Sequence, residues 1–493
     1  MQYFISTRED VNTSAIELAQ VKRMKIFDSL NVPSKIIEIE KNDFVEEVQN
    51  KLNTQGRVIN IFQYFQNLPE KRIIDAQRLL DQILDQDGLT VKDNTAFLGE
   101  KAVVKANLYQ DRLYYVDYLD QYGFTVKREF YRYNQLDYTE YFDDQAHLMI
   151  REFVNEQGQA IIKEYFCQSN QNTALLTLIE LNDTGKKLRF DRLADFQAYF
   201  LDKIAANDPD CVFYCDRCMQ VLPAIEKMKR DVKSFVVLHS ALTPSGDLTE
   251  PIYSVYEPIK ILLNNDRVKG IISSTKKEAA EVSSVFDTNA SYAIPVTFVK
   301  TQSPVPFNHR KVNQIIAVAR IDAIKQLGHL INSVIKLHEK YKNICLAIYG
   351  NNTDQKEAAA LNKLVAEKNA SSYVDFCGFT DNLDAIYETA QLEVLTSKNE
   401  GFAMAVIEAQ SHGCPVVSYD INYGPAEIIE DGKTGMLVPA DDQRELYEKI
   451  DNLLSNPQQL ALMSSAAYEH AKLFDFEHLK NKWKSFLKEQ TAG

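Results

Sequence analysis

The sequence predicts an α/β chain built from two doubly wound halves, each an open parallel sheet with helices on both faces, and a β-rich meander inserted in the first half. Two observations lead there. Short apolar strands alternate with helical patterns at both ends of the chain, whereas from Phe97 to Phe190 the pattern becomes close-set aromatic alternation broken by turn residues. The length, 493 residues, also exceeds what one hydrophobic core organises.

The elements follow in order. QYFIS reads as the first strand, TREDVNTS as a loop, and AIELAQVKRMKIFDSLNV as a helix with apolar residues at helical spacing; KIIEIE and VINIF read as short buried strands. The aromatic runs AVVKANLY, LYYVDYL, TVKREFYRY, AHLMIREFV, AIIKEYF and LLTLIEL are split by QYG, NEQGQ and NDTGK turns, which is a β-meander. Its Tyr and Phe density fits either a sandwich core or a face used for self-association or acceptor contact. Helix and parallel-strand patterns resume with FQAYFLDKIA, CVFYCD, SFVVLHS and VKGIISST, and a second series runs through NQIIAVAR, ICLAIYG, YVDFCG, LEVLTS, CPVVSYD and GMLVPA. The expected domains are 1–96 with 191–305, the insert 97–190, the second half 306–475, and a last helix at 476–493 that crosses back to the first half. The halves are expected to face each other across a cleft.

Hydrophobic and charged contents of 45% and 25% are those of a soluble globular protein, and a net charge of -14 excludes a nucleic-acid scaffold while leaving room for a small basic pocket. No signal peptide or membrane-crossing stretch is legible, so the protein is read as cytoplasmic, with peripheral placement at the inner membrane face left open. Seven scattered cysteines fit reduced thiols; Cys215 and Cys218 make a CxxC without a second ligand pair and are read as packing residues rather than a redox or metal site.

Ligands of doubly wound sheets bind outside the carboxyl ends of strands, so the polar groups there matter most. After NQIIAVAR stand Arg320 and Lys325, either a solvated loop or an anion site; after ICLAIY stands Gly350, and after YVDFCG stands Thr380. LEVLTSKNE ends in Glu400, and the following helix is expected to open with Gly401, Phe402, Ala403 and Met404, whose amides make a ready anion site. Glu408 then lies two turns inside, and eight steps of about 100° bring both carboxylates to one side. Glu408 is either an exposed helix position or a functional carboxylate, and its packed neighbours Ile407 and Cys414 to Val417 favour the second. The parts suit a nucleotide sugar: diphosphate on Arg320, Lys325 and the helix amides, ribose on Glu408, and a sugar hydroxyl on Glu400. Near the start, Thr13 and Ser14 supply hydroxyls or cap the helix. His239 is a donor-sugar contact or an ordinary strand-end histidine, and Asp216 with Arg217 is a local salt bridge or an acceptor contact.

EGFAMAVIEAQSHGCPVVSYDINYGPAEIIEDGKTGMLVP resembles the E-x7-E segment of the retaining glycosyltransferases of family four, which have the GT-B fold, and ARIDAIKQLGHLI resembles their Arg-x4-Lys donor loop. Over nearly the full chain the sequence is similar to the enzymes that place α-linked sugars on wall teichoic acid and to the first glycosyltransferase of serine-rich adhesin glycosylation, which carry the same kind of insert. The resemblance implies that Arg320 and Lys325 neutralise the leaving diphosphate without a metal, that Glu408 holds the ribose, and that Glu400 positions the donor sugar without acting as a nucleophile. It further implies UDP-glucose or UDP-N-acetylglucosamine as donor and a teichoic acid or glycoprotein acceptor, while the aromatic meander itself points to a homo-oligomer formed through the insert. Two positions depart from the pattern: Asn12-Thr13-Ser14-Ala15 replaces a glycine-rich turn, and no second histidine follows His239. The rival readings are a non-catalytic sugar-recognition subunit and a sugar-nucleotide epimerase.

Overall fold

The computed structural model describes residues 1–8, 14–69, 74–110, 112–169 and 173–492, and the chain divides into two compact units, residues 1–21 with 34–233 and residues 22–33 with 234–493.

In the first unit, strands Val212–Cys215, Gln2–Ser6, Ser34–Glu38 and Val58–Asn60 lie side by side in that order, all parallel. Phe4, Ile5, Ile36, Ile37 and Phe213 are buried, the pattern of strands covered on both faces. The expected strand VINIF is cut short. Asn60 accepts hydrogen bonds from the amides of Phe62 and Gln63, so its side chain starts a helix, Ile61–Gln66, where continuing β periodicity was expected.

The insert is one antiparallel sheet of ten strands from Thr90–Lys92 to Lys186–Phe190, each paired with its neighbours in sequence. Strands at Thr90–Lys92, Thr95–Leu98, Gln135–Phe142 and Lys186–Phe190 add to the six expected ones. QLDYTEYF escaped notice because it alternates charges with aromatics, and the register explains the charges. Asp117, Arg128, Glu140, Arg151 and Glu164 face one another across five neighbouring strands, forming an alternating ladder. Arg151 spans 2.7 Å to Glu140 and 2.8 Å to Glu164, so these buried charges are paired. The aromatics form a core under helices, not a sandwich: Phe62 stacks on Phe153 at 4.3 Å, Phe130 on Tyr138 at 4.4 Å, and Leu80 and Leu84 of helix Ala76–Leu84 cover Ala96, Val104, Leu113 and Val116. Tyr122 and Phe124, on the turn after strand Arg112–Leu119, remain exposed.

The second unit holds a short parallel set of strands, Lys233–Val237, Gly270–Ser273 and Ser291–Ala293, and a six-stranded parallel sheet. The order of the latter is Val374–Gly378, Cys345–Tyr349, Gln314–Val318, Leu392–Leu395, Val416–Asp420 and Gly435–Pro439. Strand order therefore reverses direction between Gln314–Val318 and Leu392–Leu395. Helix Phe476–Ala492 leaves this sheet and packs on the short set, with Phe486 5.1 Å from Phe235 and 4.8 Å from Tyr292, while Trp483 meets Phe27 at 5.2 Å. Cys215 and Cys218 are free and buried, and burial pushes the Cys218 thiol up to about 12, so neither presents the thiolate that redox or metal chemistry needs. Among the described residues no helix is long and apolar enough to cross a membrane, and no cluster of three or more His, Cys, Asp or Glu side chains is placed to hold a metal.

Candidate active site

A reversal of strand order opens a crevice at the carboxyl ends of the two flanking strands. The loops leaving Gln314–Val318 and Leu392–Leu395 fill that position, and they carry Lys325 and Glu400. The Lys325 Nζ donates to Glu400 Oε1 at 2.6 Å, in a pair whose side chains are 15% and 16% exposed. Backbone stitches hold the two loops together: the Lys398 amide donates to the Ile324 carbonyl at 2.8 Å, and the Thr396 hydroxyl to the Lys325 carbonyl at 2.9 Å. Asp322 accepts from the Ile324 amide and so caps the single 3₁₀ turn Ala323–Lys325 that presents the lysine.

The helix after Glu400 begins later than expected. It runs from Met404 to Ser411, with Ala403 in the left-handed region at φ 58°. Glu400 to Phe402 are thus loop, tied by Glu400 N–H to the Asn422 carbonyl at 2.9 Å and by Tyr423 N–H to the Glu400 carbonyl at 2.7 Å. The helical-step argument for Glu400 and Glu408 therefore fails, because only Glu408 is helical, little more than one turn in. What survives is the helix start itself, which no side chain caps, so its first amides are open to an anion.

Gly401 abuts His239, two residues past the end of strand Lys233–Val237: a Cβ there would stand 2.3 Å from the His239 carbonyl oxygen and 2.7 Å from its carbon. The half-buried His239 backbone is thus a wall of the Glu400 loop. Gly401→Ala is expected to force that backbone apart at about 1–3 kcal/mol, the range of overpacking, and to lower turnover more than tenfold; a thermal melt and a rate assay check it.

Glu408 is half-buried, and its carboxylate has no hydrogen-bond partner among the described residues. Burial raises its proton affinity, while Lys22 and His412 pull it back. Lys22 is itself desolvated and lowered, and its Nζ donates to Thr297 Oγ1 at 2.6 Å and the Phe298 carbonyl at 3.1 Å. Near Glu408 lies Glu393, 1% exposed, whose proton affinity is raised by burial and by the Glu408 charge. An acceptor held without an internal partner suits ligand hydroxyls.

Comparison with known proteins bears on this geometry. Residues 299–470 match the family model of glycosyl transferases group 1. Over 96% of this chain and 97% of the relative, the sequence is 22% identical to poly(ribitol-phosphate) alpha-N-acetylglucosaminyltransferase of Staphylococcus aureus strain COL. It is 24% identical to poly(glycerol-phosphate) alpha-glucosyltransferase of Bacillus subtilis strain 168, over 98% of this chain and 74% of that protein. The crystal structure of the pneumococcal O-GlcNAc transferase GtfA in complex with UDP and GlcNAc superposes with a TM-score of 0.83 at 22% identity, covering 99% of this chain and 98% of that one. The fold is GT-B.

The remaining expected residues fall into two sets, one within residues 299–470 and one in the other unit. Arg320 is 55% exposed and held loosely by Asp322 at 3.3 Å and Thr353 at 3.4 Å, leaving it free to turn toward an anion. Gly350 and Thr380 end the next two strands outward; a Cβ on Gly350 would meet the Ala319 carbonyl oxygen at 2.1 Å, and the Thr380 hydroxyl accepts the Asn382 amide, so both have local structural work. In the other unit, Ser14 forms a capping box: its hydroxyl accepts from the Ile16 amide at 3.3 Å, and Glu17 returns to the Ser14 amide at 2.7 Å. Asn12 and Thr13 lie outside the described residues. Asp216 and Arg217 do not form the local salt bridge. Arg217 pairs with Glu17 at 2.6 Å and Ser14 at 3.0 Å, and Asp216 accepts from Gln20 at 2.9 Å, because Glu17 and Gln20 on the first helix reach them first. Ser14→Ala should cost about 1 kcal/mol in a denaturant melt.

Sequence reasoning missed Ser397, whose hydroxyl donates to Glu400 Oε1 at 2.6 Å, and Lys22. It also missed Asn399 and Asn422, which donate to the Pro244 and Gly246 carbonyls at 2.5 and 2.8 Å. Ser397 had a readable signal, a hydroxyl three residues before the acid at a strand end. Lys22 had none, since it is distant in sequence from Glu408.

Proposed function

We propose that this chain is a retaining, metal-independent glycosyltransferase that moves glucose or N-acetylglucosamine from a UDP-sugar to a bacterial surface acceptor, either a serine-rich adhesin glycan or wall teichoic acid. The observation that carries the reading is the Lys325–Glu400 pair at the strand-order reversal, beside an uncapped helix start. The likeness over nearly all of this chain to two polyol-phosphate glycosyltransferases and to the pneumococcal O-GlcNAc transferase GtfA supports it.

In this reading Lys325, Arg320 and the helix amides hold the diphosphate and stabilise the negative charge that builds on it as the C1–O bond breaks. Glu408 accepts the ribose hydroxyls, and Glu400 accepts a sugar hydroxyl. The acceptor oxygen attacks C1 from the face the diphosphate leaves, and its proton passes to the departing phosphate oxygen. His239 lines the sugar end, with Gly401, Phe402, Ala403 and Met404 forming the phosphate wall and Gly350 and Thr380 the base end. In this reading the enzyme is cytoplasmic and peripheral at the inner membrane face, and the exposed Tyr122 and Phe124 of the insert supply a homo-oligomer contact.

The test is release of UDP from UDP-glucose and UDP-N-acetylglucosamine with an adhesin fragment or a polyol-phosphate polymer as acceptor. UDP release dependent on one acceptor supports the reading. Absence of UDP binding points to a recognition subunit, and a donor altered without acceptor points to an epimerase.

A further inference from the structure

Glu400 has two oxygens and an asymmetric set of partners. Lys325 Nζ and Ser397 Oγ both donate to Oε1, each at 2.6 Å, and Oε2 has no partner among the described residues. The backbone around the acid is fixed independently, by Lys398 N–H to Ile324, Glu400 N–H to Asn422, Tyr423 N–H to the Glu400 carbonyl and the Asn399 side chain to Pro244. The remaining freedom is rotation of the carboxylate. A lysine on a flexible stem restrains that poorly, whereas a serine three residues back, 2% exposed and on the same loop, restrains it well.

We propose that Ser397 is a positioning residue: together with Lys325 it dedicates Oε1 of Glu400 to the protein and leaves Oε2 as the oxygen that receives the donor sugar's hydroxyl. The consequence reaches specificity. Only the sugar, and not the nucleotide, is read through Oε2, so the loop sets how much more tightly a UDP-sugar binds than UDP. Ser397 also keeps Glu400 oriented when Lys325 shifts its charge to the diphosphate. The proposal rests on the UDP-sugar reading above.

The experiment is calorimetric titration of UDP, UDP-glucose and UDP-N-acetylglucosamine into the full chain and its Ser397→Ala, Ser397→Cys and Ser397→Thr variants, with turnover and melting measured in parallel. The cysteine variant keeps the volume and weakens the donor, which covers the case of an alanine variant that folds poorly. UDP affinity is expected to stay within about twofold of wild type in all of them. In the alanine and cysteine variants the affinity of the preferred UDP-sugar and the turnover are expected to fall about tenfold, the scale of one hydrogen bond to a charged group, and threonine is expected to restore both. Unchanged UDP-sugar affinity and turnover in folded alanine and cysteine variants would overturn the positioning role alone. Failure of the wild type to bind UDP would overturn it together with the donor reading.

Discussion

Replacing Lys325 with alanine is expected to lower turnover by about a hundredfold to a thousandfold, roughly 3–4 kcal/mol, the scale of removing one preorganised charge partner of a developing anion. The direction follows from the geometry. The ammonium lies on a capped turn at the strand-order reversal, paired at 2.6 Å with Glu400 and partly shielded from water, where its field is less screened than on the surface. The charge it faces grows as the diphosphate departs, so the loss falls on kcat. UDP affinity, which reads the ground state, is expected to fall less than tenfold. Steady-state kinetics with a calorimetric titration separate the two, and near-wild-type turnover would remove the leaving-group role.

Glu408→Ala is expected to act the other way round, weakening UDP binding about tenfold to a hundredfold, as lost hydrogen bonds to a charged acceptor do, with turnover at saturating donor much less affected. The carboxylate also gives binding a pH dependence. Burial raises the folded proton affinity of Glu408 above its unfolded value. Stability linked to this group is therefore fully present below the unfolded value and is lost as pH rises through the folded one. Donor binding has the opposite sign, because the ionised form is the better acceptor: UDP affinity should rise with pH through the raised value. Glu408→Gln should abolish that rise. A wild-type affinity that is flat across the acid range would contradict the assignment.

The strand ends were legible because short continuous apolar runs such as ICLAIY and IIAV, bounded by polar and turn residues, read as buried strands, and the polar residue after each run marks its end. The helix start was not. Nothing in Gly401-Phe402-Ala403 signals that Ala403 turns left-handed and delays the helix, in a loop tied at Glu400 to the distant Asn422–Tyr423 segment. The same holds for the insert. QLDYTEYF looks too charged for a central strand until Glu140 finds Arg128 and Arg151 opposite it and Asp137 pairs with Arg132 of the neighbouring strand, contacts that only the fold reveals. The salt-bridge alternative for Asp216 and Arg217 fails for a related reason: the neighbour of Arg217 in sequence is a carboxylate, yet its neighbour in space is Glu17.

The most direct measurement is a crystal structure with UDP bound. It should show the diphosphate against Lys325, Arg320 and the amides of Met404 and Ala405, with both ribose hydroxyls on Glu408. UDP bound away from these groups, or a crystal in which UDP at millimolar concentration leaves them bare, would contradict the account.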